Sequence, residues 1–335
     1  YEKSNMSFAV SIKDTKVEYS GKSLGSMFCN KSNIFNFKFI KLILDIIKFY
    51  KSAPLLLTKE NEDLTLGDYL EKKKVSGYLK NYHIIPMVAA IWSMPFAKAQ
   101  DMPLTLFVNF FTNHGLFNLK NRPQWFTVSG RSRKYVSKIL PFISGDYFKN
   151  YKIRKISRSE NNVRIAVGSN EDYIDYEHVV LACHANESLA LLEEPTIEEK
   201  SILSKFQYVT NTAFLHTDEK LMPKNKSAWS SWNSISKQDL TNTCVTYWLN
   251  LLQNLKTDKN YFLTLNPIQN IENKNIIKRV IFSHPYFNLE NTRLQKNLKM
   301  LQGVNRTSFC GSYFSYGFHE DGLKSSLDMI KQLKI

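Results

Sequence analysis

The sequence predicts an α/β fold, and three observations carry that reading. Glu177-His178-Val179-Val180-Leu181-Ala182-Cys183 is a nearly continuous apolar run, the pattern of a parallel strand buried on both faces. Tyr151–Ile156 and Val163–Val167 alternate as strands, with Val163, Ile165 and Val167 on one face. Thr196 followed by Glu199 forms a capping box that starts a helix just after Pro195, so strands and helices alternate through the middle of the chain.

The remaining elements follow in order. The first thirty residues mix short strand-like pieces, Met6–Ser11 among them, with the turn signal Tyr19-Ser20-Gly21. From Phe37 to Tyr50 the polar residues Lys38, Lys41, Asp45 and Lys48 fall 3, 4 and 3 apart and share one helical face. The other positions are Ile, Leu, Phe and Tyr. A helix this apolar is buried or lies on a membrane surface, and burial is the reading preferred here. Helical patterns run on to Lys80, followed by the apolar stretch His83–Ser93, with Pro95 and Pro103 as punctuation. Ser132–Leu140 reads as a helix after the Gly130 turn. Residues 200–300 contain a strand-like Thr212–His216, the Trp229 and Trp232 pair, Tyr247-Trp248 and a charged stretch, 255–279, that reads as a solvated face. Thr307–Phe314 reads as a strand. Gly322 then opens a helix with Leu323, Leu327 and Ile330 on one face.

Composition narrows the function. The 335 residues are 43% apolar and 22% charged, which excludes a disordered chain and allows a sizeable core. No apolar run reaches the roughly 18 residues of a membrane span. The opening Tyr1 suggests that an upstream part is missing, and no signal peptide is visible. Cys29, Cys183, Cys244 and Cys310 are far apart and read as reduced thiols in the cytoplasm. The net charge of +15 would attract anions. However, Lys supplies 36 of the 45 cations and Arg only 9, and Asn, Ile and Phe are also plentiful. Nucleotide bias accounts for such a composition. Scarce Arg, the residue that reads bases and phosphates bidentately, argues against a nucleic-acid partner.

Several chemical motifs are missing. The sequence has no GxG, HExxH, CxxC or GxSxG, and its seven histidines show no metal-ligand spacing, so no metal is expected. The positive signal is Ser308–Ser326: a strand ending at small residues, a glycine-containing loop, then a helix. N–H groups at a helix start stabilise an anion, and Gly322 would let backbone approach a flat ligand closely. Spacing alone equally allows a strand–loop–helix connection with no chemical meaning.

Several blocks carry a family resemblance. They are His114-Gly115, Arg122-Pro123-Gln124-Trp125 with Thr127-Val128, Gly130 with Ser132-Arg133 and Tyr135-Val136, Val179–His184, Ala228–Asn233, Thr246–Trp248, His284-Pro285, and above all Phe309–Gly311 through Gly317–Ser325. On these, the chain resembles a bacterial family of NAD/FAD-binding proteins similar to the flavin-containing amine oxidases, phytoene desaturases and protoporphyrinogen oxidases. The resemblance covers nearly the whole chain. It implies a Rossmann-like FAD-binding domain, incomplete at its N-terminus because the family's GxGxxG unit is absent, with an inserted mixed α+β substrate domain. Residues 1–117 and 201–300 would form the substrate domain, and 118–200 with 301–335 the rest of the FAD domain.

The resemblance further implies FAD as cofactor, held by Gly130, Ser132, Cys183, His184, Gly311, Ser312, Tyr313, Gly322 and Leu323. The amides at Gly322-Leu323 would face the flavin pyrimidine ring, whose N1–C2=O edge gains negative charge on reduction. Two departures stand out: Arg131 replaces the second glycine of a pair, and Ser326 replaces another glycine. Arg131 has room to meet a phosphate or to obstruct the cofactor, and the sequence leaves both open. Trp229, Trp232 and Tyr247, with Trp248, form either an aromatic wall over the flavin or ordinary core. His319 and Glu320 complete the catalytic candidates. The expected activity is an FAD-dependent oxidoreductase removing hydride from a hydrophobic or lipid-derived small molecule, with this stretch inactive alone. The rival is an inactive lipid- or membrane-surface-binding module. The expected location is cytoplasmic, with peripheral contact at the inner membrane face.

Overall fold

The structure is a computed structural model that describes residues 1–168, 172–238, 240 and 243–333. Its strands are β1 (Glu2–Ser4), β2 (Phe8–Ile12), β3 (Glu18–Ser20), β4 (Trp125–Thr127), β5 (Ile153–Arg158), β6 (Val163–Val167), β7 (Asp172–Tyr176), β8 (Val179–Leu181), β9 (Gln207–His216), β10 (Trp232–Ser236), β11 (Thr243–Trp248), β12 (Phe262–Leu265), β13 (Ile276–Tyr286) and β14 (Thr307–Phe309). The chain divides into two compact units, residues 1–142 with 209–284, and residues 143–208 with 285–335. The grouping differs from the one expected: 118–142 fall in the first unit, and 201–208 and 285–300 in the second.

The first unit is built on a seven-stranded sheet ordered β13-β9-β12-β11-β10-β2-β3. β9 to β10 pair antiparallel, whereas β2 joins β10 in parallel with Phe8 opposite Trp232. The Phe37–Ser52 helix begins where Asn36 accepts from the Lys38 and Phe39 amides. It buries Phe39, Leu42, Ile46, Phe49 and Tyr50, and Phe49 and Tyr50 pack on the Phe107–Phe117 aromatic cluster. Burial of that face follows the sequence expectation.

The stretch from Lys80 winds as a π-helix to Ile84 and then as an α-helix from Ile85 to Trp92. Pro86 has no N–H for the Tyr82 carbonyl four residues back. The Tyr19 hydroxyl donates to that carbonyl at 2.8 Å. With its one proton used there, the Tyr19 oxygen accepts from His83 Nδ1 at 2.9 Å, and the Tyr50 hydroxyl donates to Nε2 at 2.8 Å. This bonding fixes His83 as the neutral Nδ1–H tautomer inside the core.

The second unit contains the antiparallel sheet β5-β6-β7 and the parallel pair β8–β14, with Thr307 opposite Val179 and Phe309 opposite Leu181. Its core gathers Ile156, Val163, Val179, Leu181, Leu203, Phe206, Leu298, Phe309 and Tyr313. The capping box at Thr196–Glu199 is present, and Glu199 also holds Arg158 bidentately at 2.6 and 2.8 Å. Both side chains are inaccessible, so removing either partner would leave a buried charge, at a cost of about 3–5 kcal/mol.

Three local expectations change. β8 is buried on one face only: Val180 is 44% exposed, because the sheet has two strands among the described residues and nothing lies over that face. The strand expected over Thr307–Phe314 ends at Phe309, where Gly311 turns the chain into a 3-10 turn at Ser312–Phe314. The last helix starts at His319, three residues before Gly322. Its Leu323, Leu327 and Ile330 do share a face, but that face is uncovered, and the helix packs through Ser325 and Met329. Among the described residues, no helix is long and apolar enough to cross a membrane.

Candidate functional site

Parallel pairing places the ends of β8 and β14 side by side. In open parallel sheets, ligands sit beyond the carboxyl ends of the strands. Here those ends lead into 182–184 and 310–318. The Cys310 amide continues the ladder to the Leu181 carbonyl at 3.1 Å. Next, Gly311 adopts φ +155°, and a Cβ there would lie 2.8 Å from the Tyr313 ring and 3.7 Å from the Cys183 carbonyl. The Tyr313 ring therefore lies against the Gly311 backbone where a side chain would intrude, while the Cys183 carbonyl is at ordinary contact distance.

The surrounding groups fix this turn. The Gly311 amide donates to Ser325 Oγ at 2.9 Å, and the Ser325 hydroxyl donates to the Gly322 carbonyl at 2.7 Å. Gln295 Nε2 donates to the Tyr313 and Ser315 carbonyls. The Tyr313 ring is buried, and its hydroxyl has no hydrogen-bond partner. Burial holds that hydroxyl well above its ordinary pKa, so it stays protonated. On the β8 side, His184 stacks on Tyr208 with ring centres 4.2 Å apart, and the Tyr208 hydroxyl accepts from the Ala185 amide. Burial pushes Tyr208 up to about 12. The Cys183 thiol lies 3.2 Å from the Ser188 hydroxyl.

Of the expected cofactor residues, Cys183, His184, Gly311, Ser312, Tyr313, Gly322 and Leu323 all belong to this second unit. The role expected of Gly322 changes. Its amide donates to the Phe318 carbonyl at 3.2 Å and so is spent inside the helix. Its nearest neighbour outside the helix is the Ser312 amide nitrogen, 3.8 Å from a Cβ placed there. The helix start is capped instead by Asp321, which accepts from the Phe318 amide at 2.9 Å. His319 and Glu320 stand exposed in that first turn. Gly130 and Ser132 belong to the first unit. Gly130 has φ +74°, and Arg131 follows at φ +75°, ψ 176°.

The four expected aromatics do not form one wall. Side chains alternate across a sheet. Trp232 and Tyr247 are register partners on one face, 5.5 Å apart, and the Tyr247 hydroxyl donates to the Ala90 carbonyl. Trp248 falls on the opposite face, where it meets Trp229 at 5.3 Å. Trp229 is core: it packs with Met222 and Phe262 and donates its indole N–H to the Pro223 carbonyl.

Sequence reasoning missed a cavity of about 230 Å³ in the first unit, on the Tyr247 face of the sheet. It is lined by Ala89, Ser93, Met94, Phe96, Asn211, Thr243, Val245 and Leu265 among others. Asn211 is buried and bonded to the Ser93 carbonyl, His284 Nδ1 and Asn266. The Thr243 hydroxyl is buried without a partner. The lining comes from distant segments, and no local spacing announces it.

Sequence comparison matches no family profile and no curated protein. Solved structures do match over the whole chain. A fatty acid isomerase from P. acnes that produces CLA superposes with a TM-score of 0.66 at 11% identity, covering 100% of this chain and 81% of its own. A cofactor-binding redesign of putrescine oxidase gives 0.63 at 11% identity, covering 99% and 82%. Cyclohexylamine oxidase from Brevibacterium oxydans IH-35A gives 0.59 at 10% identity, covering 100% and 82%. The chain has the fold of the amine-oxidase group. At these identities the likeness concerns the fold, which is the α/β FAD-binding oxidoreductase fold that the sequence resemblance implied.

Proposed function

We propose that the chain is part of an FAD-dependent oxidoreductase of the amine-oxidase group, acting on a hydrophobic or lipid-derived small molecule. The observation that carries this reading is the parallel β8–β14 pair, with both following loops leaving from one end. The residues there fit the flavin end of FAD. A Cβ at Gly311 would collide with the Tyr313 ring, so glycine lets that ring sit against the turn, and Tyr313 offers a buried, protonated, unpartnered hydroxyl. FAD, when bound, supplies a two-electron acceptor. The residues of the second unit proposed to hold it are Cys183, His184, Gly311, Ser312, Tyr313, Gly322 and Leu323. His184, stiffened by its stack on Tyr208, orients that side; His319 and Glu320 are positioned to exchange protons with solvent. One structural neighbour is a fatty acid isomerase by its description, which supports a hydrophobic substrate.

The phosphate end of FAD has no cradle in this sequence, which lacks any GxG. The Leu323–Leu327–Ile330 face, Val180 and the outer edge of β8 stand uncovered among the described residues. A phosphate-binding βαβ unit would cover them. The natural gene product should therefore carry stoichiometric flavin, released on denaturation, whereas residues 1–335 alone should lose FAD on gel filtration. A flavin-free natural product overturns the reading, and a yellow 1–335 chain overturns the need for the added unit. A second reading, a membrane-surface module without redox activity, is favoured by the outer stripe of the Phe37–Ser52 helix; flavin content separates the two.

A further inference from the structure

The outer stripe of the Phe37–Ser52 helix is unusual for a solvated surface. Phe37, Lys41, Leu44, Lys48 and Lys51 recur at steps of 4, 3, 4 and 3, so at 3.6 residues per turn they stay within a stripe about 80° wide. Leu55, four residues on, continues the row into the next 3-10 turn. Phe37 is 80% exposed, Leu44 60% and Leu55 77%, and Phe35 in the preceding turn is 92% exposed. The opposite face of the helix is core, so these side chains have no role in packing the unit.

Charge identifies the covering partner. Between Lys31 and Leu57 there are five lysines and one acid, Asp45, and Asp45 is already paired with Lys41 at 3.0 Å. Beside the stripe, a groove of about 410 Å³ is lined by Lys38, Lys41, Tyr78 and Asn81, and its one acid, Asp45, is held by Lys41 and Ser76, which leaves Lys38, among the described residues, as its unpaired cation. A protein core partner would match bulky apolar residues with apolar ones. Here lysines and apolar side chains share one line, which suits a bilayer interface. The rings and Leu side chains enter the acyl boundary while lysines snorkel to phosphates. Exposed Glu60, Glu62 and Asp63 close the patch beyond Leu57.

We infer that the Phe37–Ser52 helix, with Phe35 and Leu55 at its ends, lies flat on an anionic lipid bilayer. This inference does not depend on the flavin reading. Vesicle co-sedimentation of the intact chain tests it, using phosphatidylcholine alone and phosphatidylcholine with phosphatidylglycerol. Binding should be at least tenfold stronger to the anionic vesicles and should weaken with salt. Each lysine at such a surface contributes about fivefold. The Lys48→Glu/Lys51→Glu variant should therefore lose more than tenfold, and Phe35→Ser/Phe37→Ser/Leu44→Ser about tenfold or more. Both variants change exposed positions and should melt at the wild-type temperature. Lys149→Glu/Lys152→Glu, with the same net charge change elsewhere, should retain most of the binding. Equal loss in that control, equal binding to both vesicle types, no effect of the stripe variants, or binding of RNA or acidic protein without vesicle binding would each overturn the inference.

Discussion

Arg131 occupies a backbone conformation, φ +75° with ψ 176°, that only glycine adopts without strain. The resemblance implies glycine at this position, and the backbone here adopts a conformation suited to glycine. Such strain costs about 1–3 kcal/mol, while glycine adds about 0.5–1 kcal/mol of unfolded-state entropy. Arg131→Gly should accordingly stabilise the chain by about 1 kcal/mol and raise its Tm by about 2 °C, measurable by calorimetry. An unchanged or lower Tm would mean that the arginine side chain earns its place by contacts. The sequence could flag this residue only as a departure from pattern. It could not show that the turn would refuse to relax around it.

At the scale of elements, what was legible followed the strength of local signals. Thr196 and Glu199 announce a helix start because their side chains complete hydrogen bonds within three residues. The apolar run at Val179 announced a parallel strand, and its pairing with Phe309 followed. The Gly322 helix start was misplaced because Asp321 caps an amide three residues upstream, so a glycine in the first turn looked like a boundary. The aromatic wall failed because spacing along the chain says nothing about which side of a sheet a loop residue such as Trp229 will reach. The two glycines near β14 give a test with opposite signs. Gly311→Ala should destabilise by about 2 kcal/mol, since the Cβ meets the immobile Tyr313 ring at 2.8 Å. Gly322→Ala should stabilise by about 0.5–1 kcal/mol, because it is helical and its nearest outside neighbour is 3.8 Å away. Denaturant midpoints of the two variants decide; a loss at Gly322 would restore it as a site of close approach.

For the molecule as a whole, acid should be the damaging condition. His83 is held down to about 3 by burial, with Arg122 adding to the effect, and burial likewise lowers His216 to about 4. Both stay neutral in the fold yet protonate in the unfolded chain near pH 6.5. Between that pH and their folded values the unfolded state binds more protons, so stability is full above about pH 6.5 and is lost as pH falls towards 3. Unfolding free energies measured from pH 7 to pH 4 should fall less steeply in His83→Gln than in the wild type; parallel curves would exclude His83 as a source. The tyrosines that enclose His83 come from positions 33 and 64 residues away, beyond any local reading. The same long reach governs the birth of the protein. β2 lies beside β10, and the adjoining Ser7–Ser231 contact spans 224 residues. At roughly 5–20 residues per second, a ribosome takes about 10 to 45 s to deliver the partner strand. For that interval the nascent β2–β3 hairpin keeps a bare edge, and the cell's holding chaperones, rather than the protein's own sheet, must keep it from pairing with a neighbour.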